Sequence, residues 1–239
     1  MSFPPTRHSV VLGASSRDPD ARRRAFASLA EAYWKPVYKY VRLKWQASPP
    51  QAEDLTQGFF ARAFEKDFFG TYDPARARFR TFLRTCLDGF IANERKAAGR
   101  LKRGGAVQLV SLHFTSAEGE LRQHDVAVPA DMDEYFEREW ARSLLGIAVD
   151  RLRDHYAAAD RDVYFRVFER YDLAATESGE RVTYAELARA LGLNATDVTN
   201  YLAAARRQFR AIVLEQLRAL TASEEEFRDE ARRLLGVDV

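Results

Sequence analysis

One cysteine, Cys86, occurs in 239 residues. No internal disulfide can form from it, and a metal site built on several thiolates is excluded. A lone thiol fits a reducing compartment. Long apolar runs are missing too: no stretch approaches the roughly 18 residues that a membrane-spanning helix needs. The opening residues, MSFPPTRHSVVLG, lack the apolar core and small-residue cleavage site of a secretory signal, so a cytoplasmic chain with no membrane partner is expected. No charge sign dominates. Lys plus Arg is 37 and Asp plus Glu is 35, so the net charge of +2 does not select a partner. Histidine is sparse: His8, His113, His124 and His155 lie far apart without companion ligands, so neither a metal nor a cofactor is expected. Internal repeats and low-complexity segments are absent.

What is present is helical periodicity and a hydrophobic fraction of 46 %, enough to bury real cores. Residues 1–19 form a short N-terminal extension. From Asp20, Phe26, Leu29, Ala30, Tyr33, Val37, Tyr40 and Val41 recur at three- and four-residue steps, with Pro36 expected to kink or restart the helix. ASPP breaks it at Ala47–Pro50, and a second helix carries Leu55, Phe59, Phe60, Ala63 and Phe64. After the turn GTYDPA, a third helix over about Arg78 to Gly99 buries Phe79, Phe82, Leu83, Cys86, Phe90 and Ile91. Residues 106–130 show no long helical period. Apolar runs flank SAEGE, which reads as an irregular linker with weak strand character and room for a small hairpin. Helices resume at Asp131, where five acids (Asp131, Asp133, Glu134, Glu137, Glu139) face one base, Arg138. The expected class is all-α: a helical domain over 20–105 and a second over 131–239 ending in a short helical tail, joined by the irregular linker.

Three segments carry charge or motif patterns with chemical meaning. In the first, Thr183 and Glu186 form a T-x-x-E capping box, Gly192 permits a tight turn, and Asn194 caps a second helix with Asp197 in its first turn. That helix buries Val198, Leu202, Ala205, Phe209 and Ile212 and presents Thr196, Thr199, Asn200, Arg206, Arg207 and Arg210. Two short helices across a Gly turn are the helix-turn-helix pattern; a plain helical hairpin with a solvated face has the same outline. Thr196, Thr199 and Asn200 are placed for base edges, and the arginines for phosphates.

The second is the helix between Arg76 and Arg103, which holds nine bases opposed only by Asp88 and Glu94. Clustered guanidinium groups neutralise phosphates and release counterions. Phe79, Phe82 and Phe90 at helical spacing read as core, although aromatics beside such a patch can also stack on unpaired bases. The third segment, QAEDLTQGFFARAFE, shows Glu53, Asp54 and Gln57 on one side and apolar residues on another. With no histidine or nucleophile nearby, it reads as a partner surface and not as an acid–base pair, and no catalytic cluster is evident anywhere.

Together these segments resemble an RNA polymerase sigma factor of the sigma-70 superfamily, extracytoplasmic-function (ECF) type. AEAYWKPVYKYVR looks like that family's region 2.1, and AEDLTQGFFARAFE like region 2.2, with its Asp-Leu-x-Gln signature at Asp54, Leu55 and Gln57. RFRTFLRTCLDGFIANERKAAGRLKRGG is similar to regions 2.3 and 2.4, and VTYAELARALGLNATDVTNYLAAARRQFR to region 4.2. Gly58 and the pair Asp88-Gly89 depart from the usual residues.

The resemblance implies a region 2 helical bundle and a region 4 helix-turn-helix domain. Its partners would be core RNA polymerase, through the β′ clamp helices and the β flap, and promoter DNA. Glu53, Asp54 and Gln57 would dock on polymerase. Arg80, Asn93, Arg95, Lys96 and Arg100 would contact the minus-10 element, with flipped bases held in a pocket of the same block. Thr196, Thr199, Asn200, Arg206, Arg207 and Arg210 would read the minus-35 element. Control could lie with an anti-sigma factor or a Ser/Thr kinase, and Thr56 on the docking helix is a candidate phosphorylation site that would add about −1.5 to −2 charge. The other reading is a helix-turn-helix regulator that binds DNA without polymerase.

Overall fold

Asp18 opens the first long helix: its carboxylate accepts from the Asp20 N–H at 3.0 Å, and Pro19, which has no N–H to lose, takes the first helical position. In the computed structural model, which describes residues 10–14, 16, 18–98, 113–123, 129–174 and 182–238, every regular element is a helix. A single turn, α1 (Val10–Gly13), precedes α2 (Pro19–Lys44). Next come α3 (Pro49–Glu65), a 3₁₀ turn at Phe68–Thr71, α4 (Phe79–Ala98) and α5 (Phe114–Gln123). Helix α6 is Met132–Ala158, and α7 (Asp162–Phe168) runs into a π turn at Glu169–Leu173. The chain closes with α8 (Tyr184–Leu191), α9 (Ala195–Leu220) and α10 (Glu224–Leu235). None of these helices is long and apolar enough to cross a membrane.

Packing divides the chain differently from the expected boundary at residue 131. One unit combines residues 1–143 with 217–239, and the other is 144–216; the borders fall inside α6 and inside α9. The C-terminal tail is therefore part of the first unit and not an appendage of the second.

The first unit is built on aromatic rings. Phe26 of α2 meets Phe60 and Phe64 of α3 edge-on and stacks on Phe69, while Phe79 of α4 meets Tyr33, Phe69 and Tyr72. Leu29, Val37 and Val41 are fully buried beside them. Each such side chain removed from water contributes about 1.5–3 kcal/mol. Helix α2 runs unbroken through Pro36, which is buried in its middle. Packing on both sides outweighs the roughly 3 kcal/mol that an interior proline costs.

The segment expected to form a hairpin is helical. Phe114 and Ala117 are buried one turn apart, and Phe114 sits between Trp34 and Tyr38 of α2. Glu118 accepts from Arg42 Nε at 2.9 Å and from the Tyr38 hydroxyl at 2.8 Å. Glu120 reaches Lys35 at 2.9 Å and Lys39 at 2.6 Å. Tertiary pairing selects the helix where local sequence had no clear period. Lys102 to Gly105 and the loop Ala175 to Arg181 lie outside the described residues.

In the second unit, Val167, Val198, Leu202, Ala205 and Val213 are buried, and Tyr164 packs on Tyr156 and Tyr201.

Candidate nucleic-acid interface

Helix α4 has two ends of different character. At its start the bases are neutralised. Arg80 is only 3 % exposed; it donates to Glu137 of α6 and, at 2.6 Å, to Glu230 of α10, with its guanidinium 4.5 Å from the centre of the Trp140 ring. Burial pulls the Arg80 guanidinium toward losing its proton, but Glu137 and Glu230 more than offset that, so its affinity for the proton is raised. Arg78 reaches Glu230 at 2.6 Å and Arg84 reaches Asp133 at 2.6 Å. Arg80 is thus a core residue, and the expectation that it contacts DNA is corrected: its place on the stripe with Leu83 and Leu87 turns it inward, where it needs carboxylates.

The acidic start of α6 supplies several of those carboxylates. Asp131 caps the helix by accepting from the N–H groups of Asp133 and Glu134. Asp133 takes Arg84, Glu137 takes Arg80 and Arg233, and the buried Glu139 takes Lys39 at 2.6 Å. The run of acids thus matches only the start of the run of bases, at Arg80 and Arg84.

Toward its C-terminal end, α4 is open. Asn93, Arg95 and Lys96 are exposed, and Lys96 has no ion-pair partner among the described residues. Arg95 lies 4.7 Å from the centre of the Trp45 ring and donates to the Trp45 carbonyl, which holds its guanidinium near the end of α2. Arg100 lies outside the described residues. Asp88 is a structural tie in the middle of the helix, accepting from Tyr40 (3.0 Å), Lys44 (2.8 Å) and Trp45 (3.0 Å) of α2 and its cap.

Between α3, the turn at Phe68–Thr71 and α4 lies a cavity of about 460 Å³. Phe68 and Phe90 give it aromatic surface, Thr71 and Asn93 give it hydrogen-bonding groups, and Arg62 and Lys66 stand at its rim. Arg62 faces Glu94 at 3.6 Å, an exposed pair worth little. Cys86 also lines the cavity, and burial pushes its thiol up, away from the reactive thiolate. A Cβ at Gly89 would meet open space, so nothing narrows this wall. An aromatic, amide-lined recess bordered by Arg62, Lys66 and Glu94 suits an unstacked base, with the two cations against one acid favouring its phosphates. Sequence reasoning pointed to Asn93 but missed Phe68, Thr71, Arg62 and Lys66. The available signal was the glycine-containing turn after α3, since binding groups concentrate on loops held by a rigid scaffold.

On α3, Asp54 is exposed and Glu53 and Gln57 are half-buried on the same side. Thr56 is fully buried, and its hydroxyl has no hydrogen-bond partner among the described residues. This corrects the expectation for Thr56: a kinase cannot reach it in the folded chain. The residue lies on the core stripe Ala52, Thr56, Phe59, Phe60 and Ala63, which is the period of a buried helix face. A Cβ at Gly58 would stand 3.4 Å from Phe90 Cζ, an ordinary contact.

The pair α8 and α9 has the expected local chemistry. Thr183 and Glu186 cap each other, with the Thr183 N–H donating to Glu186 at 2.9 Å. Gly192 takes φ 68°, the left-handed turn that only glycine adopts cheaply, and Asn194 accepts from the Asp197 N–H at 2.7 Å. Thr196, Thr199 and Asn200 are exposed in the first turns of α9, although the Thr199 hydroxyl donates to the Ala195 carbonyl. Arg207 and Arg210 are exposed without ion-pair partners among the described residues. Arg206 is engaged: it grips Asp172 at 2.9 and 2.6 Å.

The chain matches no protein-family model, no curated protein and no solved structure in comparison. Among the described residues no three His, Cys, Asp or Glu side chains gather to hold a metal ion.

Proposed function

We propose that this chain is a non-enzymatic transcription initiation factor of the ECF sigma type, which binds core RNA polymerase and directs promoter recognition, melting and initiation. The observation that carries the reading is the recess between α3, the Phe68–Thr71 turn and α4, with Asn93 at its wall and the exposed Lys96 further along the same helix. A base leaving the duplex stacks against Phe68 or Phe90, Asn93 reads its edge, and Arg95, Lys96 and Arg100 hold the strand. Glu53, Asp54 and Gln57 dock on polymerase. Thr196, Thr199 and Asn200 enter the major groove of the upstream element, with Arg207 and Arg210 on phosphates and Arg206 bracing α9 through Asp172. No cofactor is required.

The test is co-elution with core RNA polymerase and promoter-dependent transcription in vitro. Substituting Asp54 and Gln57 together abolishes co-elution, and Asn93→Ala leaves co-elution intact but lowers open-complex formation. DNA binding by the chain alone, with no polymerase association, would instead make it a polymerase-independent regulator.

A further inference from the structure

Helix α10 buries Phe227, Glu230 and Ala231, meets the start of α4 through Glu230, and presents other acids on its exposed edge. Glu230 is the anchor: it is fully buried and receives Arg78 at 2.6 Å, Arg80 at 2.6 Å and Arg233 at 2.9 Å. Glu225 and Asp229 lie on the exposed edge of the same helix. Glu225 has no ion-pair partner among the described residues, and Asp229 stands 3.6 Å from Arg78. Across a cleft of about 380 Å³ these acids face Pro74, Ala75, Ala77 and Arg78. The stretch from Phe68 to Arg78 thus has two neighbours: Phe68 and Thr71 wall the recess beside α4, and Pro74 to Arg78 border the acidic edge of α10.

We propose that α10 is a built-in competitor for nucleic-acid phosphate: Glu230 and Asp229 hold Arg78, and the Glu225–Asp229 edge repels a single strand from the Phe68–Arg78 loop until that strand takes the guanidinium over. The proposal rests on the reading of the recess as a site for an unpaired strand. Of the two exposed members of the Glu230 cluster, Arg78 and Arg233, Arg78 is the one that lines the cleft and can change partners there. It is 42 % exposed, whereas Arg80 is 3 % exposed and cannot leave without stranding a buried charge. At physiological salt, charges act over roughly 8 Å, so the acids along the cleft still oppose a strand approaching Arg78.

The experiment uses the full-length chain and a fluorescein-labelled single-stranded DNA of mixed sequence, about 12 nucleotides long, which is within the span of known single-strand sites. Anisotropy titrations across a salt series compare wild type, Glu225→Gln/Asp229→Asn, the same double variant with Arg78→Ala, and Asn93→Ala/Lys96→Ala. The double variant binds about 3- to 10-fold tighter with a steeper salt dependence, as one released phosphate contact requires, and Arg78→Ala cancels that gain. Unchanged affinity, or a gain that survives Arg78→Ala, overturns the proposal. If Asn93→Ala/Lys96→Ala weakens binding but the α10 variant changes nothing, the recess reading stands and the competitor falls. If the α10 variant gains through Arg78 while Asn93→Ala/Lys96→Ala has no effect, the strand binds at Arg78 without the recess, and the recess reading and the competitor inferred from it both fall. If no variant alters binding, both fall. Because Glu225 and Asp229 are exposed, unfolding midpoints of the double variant stay at the wild-type value, which separates this effect from loss of fold.

Discussion

Arg80 and Lys96 belong to the same helix and the same run of bases, yet one is inside the protein and the other in water. Around Arg80, α6 and α10 bring carboxylates close enough to neutralise it; Lys96 pairs with no described acid. The difference teaches that a count of charges along a segment is not a count of charges available to a ligand. At its start, α4 uses its bases to hold α6 and α10. Towards its far end, it leaves them for something else.

The comparison breaks most visibly at Glu230. Removing it leaves Arg80 buried with only Glu137, and Glu230→Ala costs about 3–5 kcal/mol in urea or thermal unfolding. Replacing both partners, Arg80→Met with Glu230→Met, recovers most of that loss, because an apolar pair of similar volume escapes the desolvation of two charges. A double variant as unstable as Glu230→Ala would show that the cluster holds the fold by more than mutual neutralisation. Asp88→Ala comes next, costing about 1–3 kcal/mol by stranding the Tyr40 and Trp45 donors.

Thr56→Val runs the other way. It replaces an unsatisfied buried hydroxyl with a methyl of the same shape and stabilises by about 1 kcal/mol, read as a higher urea midpoint. Acid sharpens the contrast further. The Arg42 guanidinium, foremost through its hydrogen bonds, together with the Tyr38 hydroxyl, lowers the Glu118 carboxyl from 4.5 to about 2. A depressed carboxyl stabilises the fold fully above its unfolded value and loses that contribution as pH falls through the folded one. Stability therefore declines between pH 4.5 and about 2 as α5 loosens from α2, and Glu118→Gln flattens that limb of the pH profile. The smallest effect on the fold is Lys96→Ala, within about 0.5 kcal/mol of wild type, although it lowers the salt slope of nucleic-acid binding by about one.

Long, periodic elements were legible from sequence. Helices α2, α3, α4 and α9 all carry strong apolar stripes, and the caps at Thr183 and Asn194 are local chemistry that needs no tertiary context. Helix α5 was not legible, because its helicity comes from Phe114, Glu118 and Glu120 meeting α2, residues far away in the chain. Residue type points Arg80 and Thr56 to the surface, whereas position points them inward. Both fall on buried stripes that the spacing of their apolar neighbours already marks. The recess beside Asn93 was legible only in part, since Phe68 and Thr71 reach it through a turn whose path local sequence does not dictate.

The pairing of Arg80 with Glu230 spans 150 residues and encloses the entire second unit in between. During synthesis the chain emerges from its N-terminus, so Arg80 leaves the ribosome long before its carboxylate exists. Until α10 appears, Arg80 has Glu137 alone and the Glu230 side of its cluster stays open, while residues 144–216 have already been made. The unit that begins the protein is thus the last to be completed, and a nascent chain halted before residue 230 holds a finished second unit and an unfinished first one.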